Sequence, residues 1–322
     1  MVKNKMKIAV GVVGCGWFGR AHCRVFRSLE NVELKAVADT RIEKAREIGE
    51  AYGCNYYSNS EEMYRKENLD AVSIVVTPQQ LAIEGRKAVE AGVNVLLEKP
   101  LATRMEDYLE LYREVSRKGV IFMPGFIELF NPAFTEVRKV LERQEIGEPL
   151  FLSSRRVGWN PKREVKWEVG CILDLGIHDL YIQTSLVGDI EEINGEAIWR
   201  SNDELEDIAL ITLKFKRGAL GVIETNWLTP VGQRKLSITG SGGVVEADFV
   251  TQRVTIARKT GGLSETVRRH IRWDEPLRLE LQHFVDSVRK GEKPCIDEEF
   301  GRKVLEQLFK VIAKCREKVG RK

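Results

Sequence analysis

The amino-acid sequence predicts an α/β protein of two domains: a doubly wound parallel sheet in residues 1–125, then an α+β domain with a mainly antiparallel open sheet in residues 126–322. Up to about residue 126, short apolar runs without alternation are separated by amphipathic segments, as in parallel strands that are buried on both faces and joined by helices. From about 190 to 271, apolar and polar residues alternate in short runs between turn residues, which favours an antiparallel sheet with helices on one face.

The elements of the first domain alternate between strand and helix. Strands are predicted at 7–14, 33–39, 71–77, 93–97 and 120–126, and helices at 19–29, 41–52, 79–91 and 104–118. The strand runs are rich in Val, Ile and Leu, and the helices carry apolar residues at helical spacing. This order predicts a parallel sheet.

The pattern changes after residue 125, where we place the domain boundary. Helices are predicted at 131–143, 172–186, 277–289 and 298–317, and strands at 209–215, 221–228 and 235–240. Turn sequences such as GSGG separate the strands, as expected for antiparallel neighbours.

Charge and cysteine content disfavour several classes of protein. The net charge is only +3, and the basic residues are scattered, so nucleic acid is not an expected partner. No apolar run approaches the roughly 18 residues of a membrane span, and the apolar run at the N-terminus is too short for a signal peptide. The six cysteines form no C-x-x-C pair, which fits a cytoplasmic protein without a zinc site or disulfide framework.

The sequence GCGWFG places Gly14, Gly16 and Gly19 in G-x-G-x-x-G spacing between a strand and a helix. In that context the first glycine makes a tight turn, the second admits a pyrophosphate, and the third lets helix and strand pack closely. Asp39, at the end of the second strand, would accept the ribose hydroxyls and repel a 2′-phosphate, so NAD is favoured over NADP, although Arg41 keeps NADP open. A simple packing turn, with Asp39 as a helix cap, is the alternative.

A second constellation lies in CILDLGIHDLY, where Asp174 and His178 are four residues apart. On a helix this spacing puts both side chains on one face, so that a carboxylate can orient an imidazole that acts as a general base. Gly176 between them predicts the close approach of another backbone or of a ligand, because glycine disfavours a helix interior. A histidine satisfied within the core, or a surface pair, is the alternative.

Together, GVVGCGWFGRAH, AGVNVLLEKPLAT and LDLGIHD resemble the Gfo/Idh/MocA family of oxidoreductases, and the likeness runs over nearly the whole chain. The resemblance implies an N-terminal Rossmann domain and a C-terminal domain whose open sheet makes subunit contacts, giving a homodimer or homotetramer. It matches Lys99 to the family's catalytic lysine, before a proline whose peptide bond can be cis. From the residues alone, Glu98–Lys99 could be a solvated strand end.

The resemblance also implies a set of site residues. The expected catalytic residues are Lys99, Asp174 and His178. The expected cofactor contacts are Gly14, Gly16, Trp17, Phe18, Gly19, Asp39, Thr40, Arg41, Thr77, Pro78, Glu98 and Lys99. The expected substrate contacts are Lys99, Asn131, Arg155, Arg156, Trp159, Asp174, His178 and Tyr181.

The chemistry implied is hydride transfer from a sugar secondary alcohol to nicotinamide, with His178 as base, Asp174 orienting it, and Lys99 stabilising the alcohol oxygen. The segments around 125–134, 153–163 and 226–243 are similar to the branch that oxidises nucleotide sugars such as UDP-N-acetylglucosamine at the 3-hydroxyl. There Arg155, Arg156, Lys162 and Arg163, with Trp159, would bind a diphosphate, although arginines on a strand are usually solvated.

Other interpretations stay open. The chain departs from the family pattern at Ala82, where many relatives carry histidine, and at Tyr181, where many carry an acid; the second departure counts against an inositol-type substrate. The alternatives are a dehydrogenase of a free aldose, inositol or other polyol, a non-catalytic NAD-binding regulator, or a structural oligomer that binds the cofactor for stability.

Overall fold

The computed structural model of the protein describes residues 7–159, 169–201, 204–260, 262–318 and 320. Within these residues the chain forms two compact units. The first contains the chain up to Gly125 together with Leu277–Lys303, and the second contains Phe126–Pro276 together with the chain from Val304 onward.

A six-stranded parallel sheet forms the centre of the first unit. Its strands are β1 (Ile8–Val13), β2 (Val32–Ala38), β3 (Asn55–Tyr57), β4 (Ala71–Ile74), β5 (Asn94–Glu98) and β6 (Phe122–Gly125), and its helices are α1 (Trp17–Ser28), α2 (Ile42–Tyr52), α3 (Ser60–Lys66), α4 (Leu81–Glu90) and α5 (Met105–Lys118). The strand order is β3-β2-β1-β4-β5-β6. The order reverses between β1 and β4, and in such sheets ligands bind beyond the carboxyl ends of the strands at that point.

The second unit is built on an eight-stranded, mainly antiparallel sheet. Up to Pro276 its helices are α6 (Pro132–Glu142) and α7 (Ile177–Val187), and its strands are β7 (Pro149–Trp159), β8 (Ile190–Ile198), β9 (Ile208–Phe215), β10 (Leu220–Asn226), β11 (Leu228–Gly240), β12 (Gly243–Asp248), β13 (Arg253–Thr260) and β14 (Leu263–Arg268). The order is β14-β13-β12-β11-β7-β10-β9-β8, and only β7 and β10 pair in parallel. Helix α7 lies against these two central strands.

The predicted fold class is therefore confirmed, with local differences. The short elements β3 and α3 were not predicted, because three or seven residues carry too little periodicity to be recognised. The helix predicted over 172–186 instead begins with a π-helical turn, Ile172–Gly176, and continues as α7.

The C-terminal helices are α8 (Pro276–Lys290) and α9 (Glu298–Lys318). The segment 277–303, which the sequence analysis assigned to the second domain, packs with the first unit instead. Tyr108 Oη donates to the carbonyl oxygen of Glu298 at 2.7 Å, and Tyr112 Oη donates to the Glu299 carboxylate at 3.2 Å. Helical periodicity shows that such a segment has an apolar face but not which sheet that face covers.

Candidate active site

The glycine turn after β1 has the geometry that a dinucleotide requires. Gly14 has φ of +99°, and a Cβ there would lie 2.1 Å from the carbonyl oxygen of Val75. A Cβ on Gly19 would lie 1.8 Å from the carbonyl oxygen of Gly14, whereas a Cβ on Gly16 would meet no atom within 4 Å. The turn itself thus requires Gly14 and Gly19, and the open space at Gly16 fits an approaching pyrophosphate.

Helix α1 begins directly after this turn with no side chain on its first N–H groups. Gly16 is the N-cap, no side chain caps the helix, and the first turn contains no acidic residue. Such a helix end binds phosphate through its N–H groups and its positive dipole end. Trp17, which is 76% exposed, and the partly buried Phe18 follow. The residues present therefore fit NAD, and the backbone of residues 14–19 would hold its pyrophosphate.

The Asp39 carboxylate connects the end of β2 to the glycine turn. Its Oδ2 accepts the N–H of Cys15 at 2.8 Å, and its Oδ1 accepts the N–H of Arg41 at 2.9 Å. Arg41, not Asp39, is the N-cap of α2, so the helix-cap alternative does not hold. The Arg41 and Thr40 side chains are exposed. A fixed carboxylate here suits the hydroxyls of an unmodified ribose, which favours NAD.

Thr77 and Pro78 follow β4, the neighbour of β1 at the point where the strand order reverses. Thr77 is exposed, and the buried Pro78 begins a short 3₁₀ helix, Pro78–Gln80. Because β1 and β4 are parallel, the residues after both strands lie at one edge of the sheet. The cofactor contacts predicted for these two residues stay predictions.

Strand β5 ends at Glu98, and Lys99 follows at the same edge of the sheet. The Lys99–Pro100 peptide bond is cis, as the resemblance allowed. The N–H of Leu101 donates to the carbonyl oxygen of Glu98 at 3.1 Å, which closes a tight turn. The Glu98 side chain is buried, and its Oε2 accepts the N–H of Lys99 at 3.1 Å. Lys99 itself is partly buried.

In the second unit, His178 lies in the first turn of α7 and is held by a tyrosine. Its Nδ1 lies 2.7 Å from Oη of Tyr181, and Oη also accepts the N–H of Glu128 at 3.1 Å. The Tyr181 ring is fully buried and stacks on Phe126, with the ring centroids 4.3 Å apart. Tyr181, predicted as a substrate contact, therefore has its hydroxyl engaged within the protein and fixes one nitrogen of the imidazole.

Asp174 lies in the π-helical turn that precedes α7, four residues before His178 and partly buried. Single π-helical turns inside helices are frequent at functional sites. The orienting role predicted for Asp174 stays a prediction. A Cβ on Gly176 would meet Thr225 Cγ2 at 3.5 Å and Ile211 Cδ1 at 3.6 Å, which are ordinary contacts, so the close approach of another backbone does not explain this glycine.

A buried ionic cluster supports α7 from strand β7. Arg156 donates from Nε to Asp179 at 2.8 Å and from Nη1 to Glu128 at 2.9 Å. Burial lowers the pKa of Arg156, but the two carboxylates, Asp179 foremost, more than offset this, and the pKa is raised. Asn131 caps α6 through Oδ1 and donates from Nδ2 to Glu128 and to the carbonyl oxygen of Phe249. The predicted substrate contacts Arg156 and Asn131 thus serve the interior of this unit.

Arg155 lies on the opposite face of β7 from Arg156, because successive side chains of a strand alternate between faces. It donates to Glu224 and to Gln233, both at 2.9 Å. The two arginines thus have separate partners on opposite faces of the strand, and the diphosphate contacts predicted for them stay predictions. Trp159 is 59% exposed rather than part of the core. Lys162 and Arg163 lie outside the described residues.

The sequence analysis missed two members of the buried cluster, Glu128 and Asp179. An isolated acid inside the apolar segment GFIELF was the available signal, since a buried carboxylate needs a partner. The identity of that partner, Arg156, depends on strand β7 packing beneath α7, which no local pattern encodes. Within the described residues, no group of His, Cys, Asp or Glu side chains has a metal-binding arrangement, and no helix is long and apolar enough to cross a membrane.

Comparison with known protein families gives two matches. Residues 8–126 match a model described as an oxidoreductase family with an NAD-binding Rossmann fold, Gfo/Idh/MocA. Residues 134–246 match the Gfo/Idh/MocA C-terminal domain.

Similar proteins include several named dehydrogenases. The chain is 28% identical to myo-inositol 2-dehydrogenase of Thermotoga maritima over 314 residues, which is 92% of each protein. It is 30% identical to D-apiose dehydrogenase of Paraburkholderia graminis over 88% of this chain and 81% of that protein. Among solved structures, UDP-N-acetylglucosamine 3-dehydrogenase from Acidithiobacillus ferrooxidans superposes with a TM-score of 0.87 at 21% identity, covering 97% of this chain and 99% of that one. At that identity the last likeness shows the fold alone.

Proposed function

The chain belongs to the Gfo/Idh/MocA family of oxidoreductases, and from this premise we propose that it is an NAD-dependent dehydrogenase that oxidises a secondary alcohol of a free sugar or polyol. The observation that carries the proposal is the NAD-type glycine turn with Lys99 at the same edge of the sheet. In the other unit, the buried His178 imidazole, held on α7 by Tyr181, supports it. Named relatives act on inositol and apiose.

The chemistry requires a base and a cation at one oxygen. Bound NAD supplies the hydride acceptor, the nicotinamide ring. An alcohol is a very weak acid, so His178 accepts the hydroxyl proton as the carbon loses hydride. The Lys99 ammonium donates a hydrogen bond to the same oxygen and stabilises its developing negative charge.

The contact of His178 with Tyr181 supports Nε2 as the nitrogen that acts. Since Nδ1 is engaged by Tyr181 Oη, Nε2 is the atom that takes the substrate proton. In the neutral base, Nδ1 then carries hydrogen and donates it to Oη, which also accepts the N–H of Glu128 and has two lone pairs for this purpose. Asp174 would stabilise the protonated imidazole, in keeping with its place in the preceding turn.

The arginines of β7 favour a free sugar or polyol over a nucleotide sugar. Arg156 is matched by two buried carboxylates, and Arg155 faces away from it and is bound by Glu224. Two of the arginines that the nucleotide-sugar interpretation assigned to a diphosphate are thus already paired with carboxylates of the protein. A nucleotide sugar remains the second candidate, supported by the similarity of segments 125–134, 153–163 and 226–243 to the family branch that oxidises nucleotide sugars. Assembly through the second sheet and a cytoplasmic location stay predictions.

A substrate panel tests the proposal. The purified protein is incubated with NAD or NADP and with myo-inositol, other inositols, D-apiose, free aldoses or UDP-N-acetylglucosamine, and reduced nicotinamide is followed by absorbance. We expect turnover with a free sugar or polyol and preference for NAD. Turnover with the nucleotide sugar alone would replace the first candidate by the second. Tight NAD binding without turnover of any compound would favour the non-catalytic regulator.

A further inference from the structure

A buried polar cluster in the first unit lies beside Lys99 and has no part in the chemistry above. His22 on α1, Ser73 on β4 and Glu98 on β5 are each at most 4% exposed. His22 Nδ1 lies 2.8 Å from Ser73 Oγ, and His22 Nε2 lies 3.4 Å from Glu98 Oε1. The cluster thus joins the helix that begins at the glycine turn to the strand that ends at Lys99.

The atoms that face each other assign the proton of the imidazole. A carboxylate oxygen only accepts, so His22 Nε2 must carry hydrogen toward Glu98 Oε1. Neither atom has a hydrogen-bond partner among the described residues, and their separation is longer than an ideal hydrogen bond, so the contact is chiefly electrostatic. Phe18 packs edge-on against the His22 ring, with the centroids 4.8 Å apart, and such apolar surroundings strengthen the attraction.

The other oxygen of the same carboxylate holds the backbone of Lys99. Glu98 Oε2 accepts the N–H of Lys99 at 3.1 Å. A Cβ on Gly125 would lie 2.8 Å from Glu98 Oε1, so the glycine on the neighbouring strand makes room for the carboxylate. A buried carboxylate that lost its His22 contact would be driven to reorient toward water or another donor. The N–H of Lys99 would then lose its hydrogen bond to Glu98 Oε2.

We propose that His22 is a positioning residue that fixes Lys99 through the Glu98 carboxylate. The inference rests on the proposed role of Lys99. In this role His22 affects the rate without contacting the cofactor or the substrate.

Two substitutions of His22 separate positioning from packing. In His22→Gln the amide nitrogen stands where Nε2 stood and keeps an N–H that faces Glu98 Oε1. In His22→Asn it stands near Nδ1, reaches Ser73, and leaves Glu98 Oε1 with no N–H facing it. Both variants lose the ring that packs against Phe18, so both should lower the melting temperature to a similar extent.

The rates should differ. Because a displacement of about 1 Å can cost about 100-fold, we expect His22→Asn to lower kcat by roughly 10- to 100-fold with little change in the Kd for NAD, and His22→Gln to recover most of the rate. Equal rates in the two variants, or a loss explained by weaker NAD binding at unchanged kcat, would overturn the proposal.

Two further measurements separate this proposal from the role of Lys99. In a Lys99→Met background, His22→Asn should cause no further loss, whereas an independent second loss would contradict action through Lys99. In the unmutated protein labelled with ¹⁵N-histidine, which has only four histidines, Nε2 of His22 should carry a proton. A proton on Nδ1 alone would overturn the proposal even if the Asn variant does not fold or Lys99 is not catalytic.

Discussion

Replacing Tyr181 with phenylalanine removes a single hydroxyl group from the support of His178. That oxygen accepts the N–H of Glu128 at 3.1 Å and lies 2.7 Å from His178 Nδ1. The aromatic ring, which stacks on Phe126 at 4.3 Å, is retained, so the core should keep its packing. The substitution therefore isolates the hydrogen bonds of the tyrosine.

The structure sets the expected magnitudes. The buried N–H of Glu128 loses its partner, which lowers the free energy of unfolding by about 1–3 kcal/mol. His178 Nδ1 also loses the contact that holds the imidazole plane. Since small displacements of a catalytic group have large effects on rate, kcat should fall by roughly 10- to 100-fold.

Tyr108→Phe is the matched control. Tyr108 is also fully buried, and its Oη donates to the carbonyl oxygen of Glu298 at 2.7 Å, so a hydrogen bond between a tyrosine hydroxyl and the backbone is lost in the other unit as well. Thermal or urea unfolding and steady-state kinetics are measured for both variants. We expect comparable losses of stability and a rate defect in Tyr181→Phe only. A wild-type kcat in Tyr181→Phe, or equal rate losses in both variants, would refute the assigned role.

Three further results are expected. Gly16→Ala should weaken NAD binding and leave the melting temperature of the free protein nearly unchanged. Gly14→Ala, whose Cβ would lie 2.1 Å from a carbonyl oxygen, should lower both the NAD affinity and the melting temperature. Undiminished NAD affinity in Gly16→Ala would contradict the cofactor site. His283 Nε2 accepts the N–H of Cys295, and burial lowers the His283 pKa. Stability should therefore fall as the pH drops below about 6.5, where the unfolded chain takes up the proton first, and His283→Gln should flatten that slope in thermal melts; an unchanged slope would contradict it. Burial raises the pKa of Cys15 to about 12, so a thiol reagent at neutral pH should modify the exposed Cys295 long before Cys15, and equal labelling rates would contradict this.

Local rules account for what the sequence predicted well. Each glycine of the turn acts on its nearest neighbours, so G-x-G-x-x-G spacing after a strand was enough to predict a tight turn at Gly14 and an open approach at Gly16, and the structure has both. The alternation of strands and helices likewise predicted the parallel sheet.

Long-range pairing accounts for what the sequence did not predict. Arg156 was expected to meet a diphosphate, but it is bound by Asp179 and Glu128, which come from segments that only the folded sheet brings together. Tyr181 was predicted as a substrate contact, and no local pattern indicated that its hydroxyl would contact His178. The π-helical turn before α7 changes the helical phase within five residues, too few for periodicity to reveal.

The most direct test of the proposed mechanism is the rate of NAD reduction by Lys99→Met, His178→Ala and the double variant, with the substrate that the panel identifies. If both residues act on one alcohol oxygen, each single variant should lose about 10²- to 10⁴-fold in kcat/KM. The kcat/KM of the double variant should then lie little below that of the less active single variant. Full activity in either single variant, with NAD bound normally, would contradict the mechanism.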